Sequence, residues 1–311
     1  MTSTLVIGAG SAGCVLAARL SADPAHTVRV LEAGPVWASA AEMPAHLLDP
    51  GHLPIGPDSD VVWRYPGNIV RGKLIGGSGA INGSYFVRPT AADFAAWSAA
   101  ADSTRWSFDA VLPLLAALES DRDFGSAPGH GAHGPIPVQR TTDPAPVSRE
   151  FADRCAALGF AEVADLNAVP AGSARAGRDA TAETPSGVDR VEGFGRVPLA
   201  LSRGLRAGPA LTHLYPALAR PNLTVTGRTT ATRLMLRGSR VVGVEWARGR
   251  ERGTALADRV IVCAGAVESA ALLIRSGIGP ESQLRSLGIP VVLPAPVGAW
   301  RTDHPEICIE Y

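Results

Sequence analysis

The sequence predicts an α/β fold built on a parallel sheet, and three observations carry that expectation. A strand–glycine turn–helix–strand unit opens the chain, from Leu5 to Glu32. A second strand, Val260 to Cys263, is wholly apolar and runs through Gly265 into a helix from Val267 to Arg275. Such a strand suits the middle of a parallel sheet, covered on both faces. Third, 46% of the 311 residues are hydrophobic and 19% charged, enough for a globular core in one large domain or two intertwined ones. The 34 glycines and 25 prolines point to many loops and tight turns.

In the opening unit, Leu5 to Ile7 is the first strand, and Gly8, Gly10 and Gly13 follow in the order GxGxxG. A helix runs from Ala12 to Leu20, with Val15, Leu16, Ala18 and Leu20 as its apolar positions. Asp23-Pro24 breaks it, and the strand Val28 to Leu31 ends in Glu32. Gly8 makes the tight turn, Gly10 admits a pyrophosphate to the backbone, and Gly13 lets the helix lie close to the strands. The helix N-terminus offers free N–H groups and about half a positive charge to phosphates. Glu32 is placed to accept hydrogen bonds from a ribose. The candidate binding residues here are Gly8, Gly10, Ser11, Gly13 and Glu32. The unit alone leaves FAD and NAD both open.

Lys plus Arg (29) balances Asp plus Glu (29), and no basic cluster occurs, so nucleic acid and anionic membrane are not expected partners. Cys14, Cys155, Cys263 and Cys308 show no CxxC spacing, and we read neither a disulfide framework nor a zinc site. The N-terminus lacks the charged region and cleavage site of a signal peptide. No apolar run is long enough for a membrane span. The expectation is a reduced, soluble, cytoplasmic protein.

The stretch RGKLIGGSGAINGSYFVRP, Arg71 to Pro89, is patterned neither as a core helix nor as a half-buried strand. Its glycines imply that something approaches the backbone closely. It resembles the first signature of the glucose–methanol–choline (GMC) oxidoreductases. RVIVCAGAVESAALLIRSGIGP, Arg259 to Pro280, resembles the second. GAGSAG, LEAG and the DHP at Asp303 to Pro305 complete the anchors in order, over essentially the whole chain.

The resemblance implies a Rossmann-like FAD/NAD(P)-binding domain, residues 1–90 and 206–305, with an incomplete α+β substrate domain, residues 91–205 and 306–311. It implies FAD, with backbone contact at Gly76 and Gly77, a hydroxyl from Ser78, and Asn82 and Gly83 beside the isoalloxazine ring. Arg71 would tie that loop down, Ala231 would give a backbone contact to the adenine, and Gly265 belongs to the returning segment. Ile81 stands where some members carry the histidine that bonds FAD covalently, so non-covalent FAD is expected. Gly79 replaces a common second serine, and Ala270-Ala271 replaces the usual Pro-Gln pair.

The family's reaction is hydride transfer from an alcohol CH–OH to flavin N5, with a histidine taking the hydroxyl proton. Family members are considerably longer, and that histidine and its His or Asn partner lie in their C-terminal part. None of the seven histidines here (His26, His46, His52, His130, His133, His213, His304) matches, so no catalytic residue is named. The expectation is a truncated or split chain, with a complementing C-terminal polypeptide as a partner. The substrate is a small-molecule alcohol or a reduced redox cofactor, and the electron acceptor stays open. The runs GGSGAINGSYF, DRDFGSAPGHGAHGPIPV and GRVPLALSRGLRAGPALTHLYPALARPNLT resemble the mycofactocin-associated branch, which implies reoxidation of a reduced peptide-derived cofactor. Alternatives are a non-enzymatic FAD-binding fragment, one subunit of a split dehydrogenase, and an NAD-dependent dehydrogenase, against which the Arg71–Pro89 stretch argues.

Between the anchors, Ala91 to Ala100 and Ser107 to Glu119 read as helices, the second capped by Ser107, bent by Pro113 and burying Leu112, Leu115 and Leu118. Asp121 to Arg140 reads as a loop. His130 and His133 lie close together there, but without a third ligand nearby we read them as solvated or facing substrate, not a metal. Glu150 to Leu158 reads as a helix and Asn167 to Arg206 as a long loop. Strands follow within Pro221–Leu236 and Arg240–Ala247.

Overall fold

The structure is a computed structural model that describes residues 2–169 and 193–303. The chain divides into two compact units, one of Met1–Met43, Pro54–Ala80 and Pro209–Tyr311, the other of Pro44–Leu53 and Ile81–Gly208. Residues 44–53 and 81–90, grouped with the first unit in the sequence expectation, fall in the second. Residues 170–192 of the expected long loop, and His304, Pro305 and Cys308, lie outside the described residues.

In chain order the strands are β1 (Thr2–Ile7), β2 (His26–Leu31), β3 (Val62–Tyr65), β4 (Ile69–Gly72), β5 (Glu119–Asp121), β6 (Ile136–Val138), β7 (Leu223–Thr226), β8 (Thr230–Arg237), β9 (Arg240–Arg248), β10 (Glu251–Leu256) and β11 (Arg259–Val262). The helices used below are α1 (Ser11–Leu20), α2 (Ala91–Ala100), α3 (Phe108–Leu118), α4 (Pro146–Ala157) and α5 (Gly265–Arg275).

In the first unit a parallel sheet runs in the order β11-β1-β2-β7. Ile7 is level with both Val262 and Leu31, and Leu31 with Thr226, so the four strands end together. Side chains alternate across the sheet. Val6, Val28 and Val30 enter one buried cluster with Cys14 and Ala17 of α1. Leu5, Ile7 and Leu31 enter the other, with Leu272 of α5 and with Leu234 and Val244 of the antiparallel sheet β8-β9-β10. Each fully buried Val or Leu contributes about 1.5–3 kcal/mol, so this alternation fixes which face each helix covers.

Two strand expectations need correcting. β11 is an edge strand among the described residues, not a central one, and Val260–Val262 are half-buried. Its apolar run comes from packing against both faces: Val260 and Val262 join one cluster and Cys263 the other. β10 was not anticipated, because Glu-Arg-Gly-Thr-Ala-Leu carries no apolar alternation. It is defined by pairing with β9, where a side chain at Gly253 would meet the Trp246 ring at 2.5 Å.

In the second unit, Thr90 and Asp93 form a reciprocal capping box on α2. The Ser107 hydroxyl accepts from the Ala110 N–H at the start of α3. Leu112, Leu115 and Leu118 turn to the covered side of α3 but are only half-buried, while Leu114 is 64% exposed. The segment 44–53 joins this unit through Arg206, which is 2% exposed. Its guanidinium donates to the carbonyls of Asn82 (2.9 Å), Leu47 (2.9 Å), Asp49 (2.6 Å) and His52 (2.7 Å).

The loop reading of 121–140 changes most. Glu119, Asp121 and His130 converge between β5 and β6, with Asp165, Arg88 and Arg140 around them. The His130 side chain is buried, its Nδ1 2.9 Å from Glu119 and its Nε2 2.9 Å from Asp165. Arg140 reaches both Asp121 oxygens at 2.6 Å and Asp165 at 2.7 Å, and Arg88 reaches Glu119 at 2.7 Å. His130 is therefore not solvated. Glu119, Asp121 and His130 lie close enough together to hold a metal ion. The two guanidiniums already neutralise these carboxylates, so a cation would be drawn in only weakly.

Candidate functional site

A cavity of about 560 Å³ lies in the first unit, where β1, β2 and β11 end. That size is ordinary for a cofactor pocket. Its wall includes Gly8, Gly10, Ser11, Glu32, Arg71, Gly77, Ser78, Ala231 and Gly265, nine of the thirteen residues expected from the sequence.

The turn after β1 is built as its spacing predicts. Gly8 has φ +98°, and its N–H donates to the Leu31 carbonyl at 2.8 Å. A side chain on Gly13 would lie 2.0 Å from the Gly8 carbonyl oxygen, so α1 packs against the turn at backbone distance. Gly10 differs: a Cβ there would meet nothing nearer than 3.8 Å, because the position looks into the cavity. No side chain caps α1 or α5, and no acid occupies the first turn of α1. The N-terminal amides of α1 are thus free to receive an anion.

Glu32 is 6% exposed. Its Oε2 accepts from the Ala9 N–H and its Oε1 from the Gly34 N–H, both at 2.8 Å. Burial pushes the carboxyl up from its ordinary range, against the pull of those amides. The bonds fix the carboxylate between the two loops, and each oxygen keeps a lone pair for another donor.

The Gly-rich segment packs on this turn. The Gly76 N–H donates to the Ala9 carbonyl at 2.7 Å. A Cβ on Gly77 would lie 2.8 Å from Gly10 Cα, and one on Gly79 would lie 2.5 Å from Ser11 Oγ. What approaches these glycines is therefore the chain's own first turn, as well as whatever fills the cavity. Ser78 Oγ accepts from the Gly72 N–H at 2.9 Å, which leaves its proton available at the cavity wall. Arg71 pairs with Asp303 at 2.9 Å, so its guanidinium is held by the far end of the described chain.

Gly13 and Gly76 support the wall without lining it. Asn82 and Gly83 belong to the second unit. There the Asn82 side chain accepts from the Ser84 N–H at 2.9 Å, and its carbonyl accepts from Arg206.

Sequence reasoning missed one side of the cavity: Trp63 and Tyr65 on β3, Thr229 and Thr230, and Glu268 and Arg275 on α5. The Tyr65 hydroxyl donates to Glu268 Oε1 at 3.0 Å, and Arg275 lies 3.4 Å from Glu268 Oε2. Burial first, and then the Glu268 carboxylate, hold the Tyr65 hydroxyl in its protonated form. Glu268 stands within the Arg259–Pro280 stretch, but its partner is 203 residues away in sequence.

A glycine turn opening a helix, an acid ending the next strand and a cofactor-sized cavity between them define a dinucleotide-binding α/β protein. The GMC oxidoreductase family model matches residues 2–306. The chain belongs to the GMC oxidoreductases, a family of FAD-dependent alcohol oxidoreductases. An uncharacterized GMC-type oxidoreductase of Rhodococcus erythropolis is 41% identical over 318 residues, covering 99% of this chain and 59% of that protein. The oxygen-dependent choline dehydrogenase of Burkholderia lata is 36% identical over 326 residues, covering 99% and 53%. The crystal structure of pyridoxine 4-oxidase from Mesorbium loti matches with a TM-score of 0.79 and 30% identity, covering 95% of this chain and 56% of that one. Formate oxidase shares the fold, with a TM-score of 0.75 at 23% identity. The chain spans little more than half the length of the curated relatives it matches. Among the described residues no helix is long and apolar enough to cross a membrane.

Proposed function

We propose that this chain supplies the FAD-binding part of a GMC-type oxidoreductase that takes hydride from an alcohol CH–OH. The observation that carries the proposal is the open position at Gly10, facing a cofactor-sized cavity at the uncapped start of α1. The α1 amides, with Gly8, Gly10 and Ser11, would hold the pyrophosphate. Gly13 sets the helix close enough for them to reach it. Glu32 would hold the ribose, and Ala231 and Gly265 would bound the adenosine end. Gly76, Gly77 and Ser78 would support the turn and close the wall, with Arg71 anchored on Asp303. Bound FAD supplies a hydride acceptor; the chain's own residues bind it, orient it and exclude water.

The substrate class proposed is a small-molecule alcohol. The stretches Asp121–Val138 and Gly195–Thr224 favour a finer reading, in which the alcohol is a reduced peptide-derived cofactor of the mycofactocin type. A deletion strain that still reoxidises reduced mycofactocin at the parental rate would contradict that finer reading. For the cofactor, we expect calorimetric titration to show saturable binding of FAD, and of NAD and FMN at least about tenfold more weakly. FMN lacks the adenosine end and NAD lacks the flavin. Equal or tighter binding of NAD would replace this reading with that of a nicotinamide enzyme.

A further inference from the structure

The chain has four asparagines, and only Asn82 precedes a glycine. In such a pair the glycine nitrogen can attack the side-chain amide carbon, with no side chain on the glycine to obstruct the ring. Two things hold this closure back: the backbone N–H is a weak acid, and the amide carbon is a weak electrophile. The second unit acts on both at Asn82, which is exposed. Asn82 Oδ1 accepts from the Ser84 N–H at 2.9 Å. That donor draws electrons from Cγ and supports the oxyanion that forms on Oδ1 when Cγ is attacked. The Asn82 backbone carbonyl accepts from Arg206 Nε at 2.9 Å. This carbonyl and the Gly83 N–H belong to one conjugated amide, so loss of the proton spreads negative charge onto the oxygen that Arg206 holds. A hydrogen bond to the charged form favours that form. Arg206 is 2% exposed and its partners are carbonyls, so no bonded carboxylate cancels its charge.

Among the described residues neither the Gly83 N–H nor Asn82 Nδ2 has a hydrogen-bond partner, so the proton and the leaving group are both free to depart. The other asparagines differ. Asn167 Nδ2 donates to the Phe86 carbonyl, and Asn222 Nδ2 donates to the carbonyls of Ser21, Asp23 and His26. Asn68 is followed by the β-branched Ile69.

We propose that Asn82 is a self-modifying site, which in the folded chain deamidates through a succinimide shared with Gly83. A solvent base takes the Gly83 proton, and the nitrogen's electron pair forms the N–Cγ bond. The Cγ–Nδ2 bond breaks, and ammonia leaves with a proton from water. Water then opens the ring at either carbonyl, giving aspartate or isoaspartate. The net change is a water taken up and an ammonia released, with no oxidant or reductant. The product carries a carboxylate on the residue that the buried guanidinium already bonds, and the isoaspartyl form adds a methylene to the backbone there.

The test incubates the 311-residue chain, folded and urea-denatured, in the same mildly alkaline buffer. Peptide mass mapping with chromatographic separation of aspartate from isoaspartate follows position 82 over time. The folded chain is expected to convert Asn82 about tenfold or more faster than the denatured chain, because the two donors are already in place. Asn68, Asn167 and Asn222 should stay intact over the same period. Conversion of the folded chain at or below the denatured rate would overturn the proposal. Gly83→Ala should fold, because its methyl meets only the Tyr85 ring at 3.2 Å, and that ring is 62% exposed. The variant should convert far more slowly; an unchanged rate would rule out the succinimide route. Arg206→Gln, checked for folding by thermal melting, should lose most of the folded-state acceleration. A folded Arg206→Gln protein that converts at the parental rate would also overturn the proposal.

Discussion

Gly10→Ala should fold like the parent chain and lose FAD, whereas Gly13→Ala should fail at folding itself. The two positions are three residues apart in one motif, and their surroundings differ. A methyl at Gly13 would sit 2.0 Å from the Gly8 carbonyl oxygen and 3.4 Å from Cys263 Cβ. The first obstacle is backbone in a turn at φ +98°, which cannot rotate away as a side-chain tip would. Relief would require α1 to lift off the sheet, exposing Cys14 and Ala17 from the core. The cost is about 3 kcal/mol or more, at the upper end for overpacking. At Gly10 the backbone has φ −72° and ψ −171°, an extended conformation open to any residue. The nearest atom is 3.8 Å away, so the methyl enters the cavity and not the core. FAD affinity should fall at least about tenfold while the melting temperature holds. Denaturant melts and flavin titrations of both variants check this. A Gly10→Ala protein that binds FAD normally would remove the pyrophosphate from this turn.

Arg140→Met should be the most destabilising change in the second unit. It leaves Asp121, Asp165 and the nearby Glu119 buried with too little positive charge. Breaking a buried pair on one side costs about 3–5 kcal/mol, read as a shift in the denaturant midpoint at unchanged slope. The same cluster sets an acid limit. Burial works to raise the Asp121 carboxyl, but the Arg140 guanidinium and the amides of Phe124 and Asp123 outweigh it and hold it below its ordinary value. A depressed carboxyl contributes stability that is complete above the unfolded value, about 3.9, and is lost as pH falls through the folded one. The parent chain should therefore lose stability below about pH 4, and Arg140→Met should show less of that acid-dependent loss. Equal acid sensitivity in both proteins would place the acid-labile group elsewhere.

The contrast between these two regions shows what sequence can carry. The α1 turn was legible because its constraints are local: glycine spacing, alternation along β1 and β2, and an acid at the strand end all lie within 32 residues. The buried ions were not. His130 meets Glu119 across 11 positions and Asp165 across 35, and nothing in the loop's turn-rich composition announces a fold that buries it. Arg206 carries no signal either, since its partners are backbone carbonyls, which every sequence has. β10 escaped because pairing, not side-chain pattern, makes it a strand. The Arg71–Pro89 stretch was recognised, and its glycines have a second cause beyond the cofactor: Gly77 and Gly79 lie against Gly10 and Ser11. Glu268 stands within a motif, yet its link to Tyr65 exists only in three dimensions.

The measurement that bears most directly on the account is the visible absorption spectrum of the 311-residue chain, purified with added FAD and then desalted. The account predicts a retained oxidised-flavin spectrum, released on denaturation as free FAD because Ile81 offers no covalent attachment. A folded, colourless protein after desalting would contradict the claim that this cavity, as built from these residues, holds the dinucleotide.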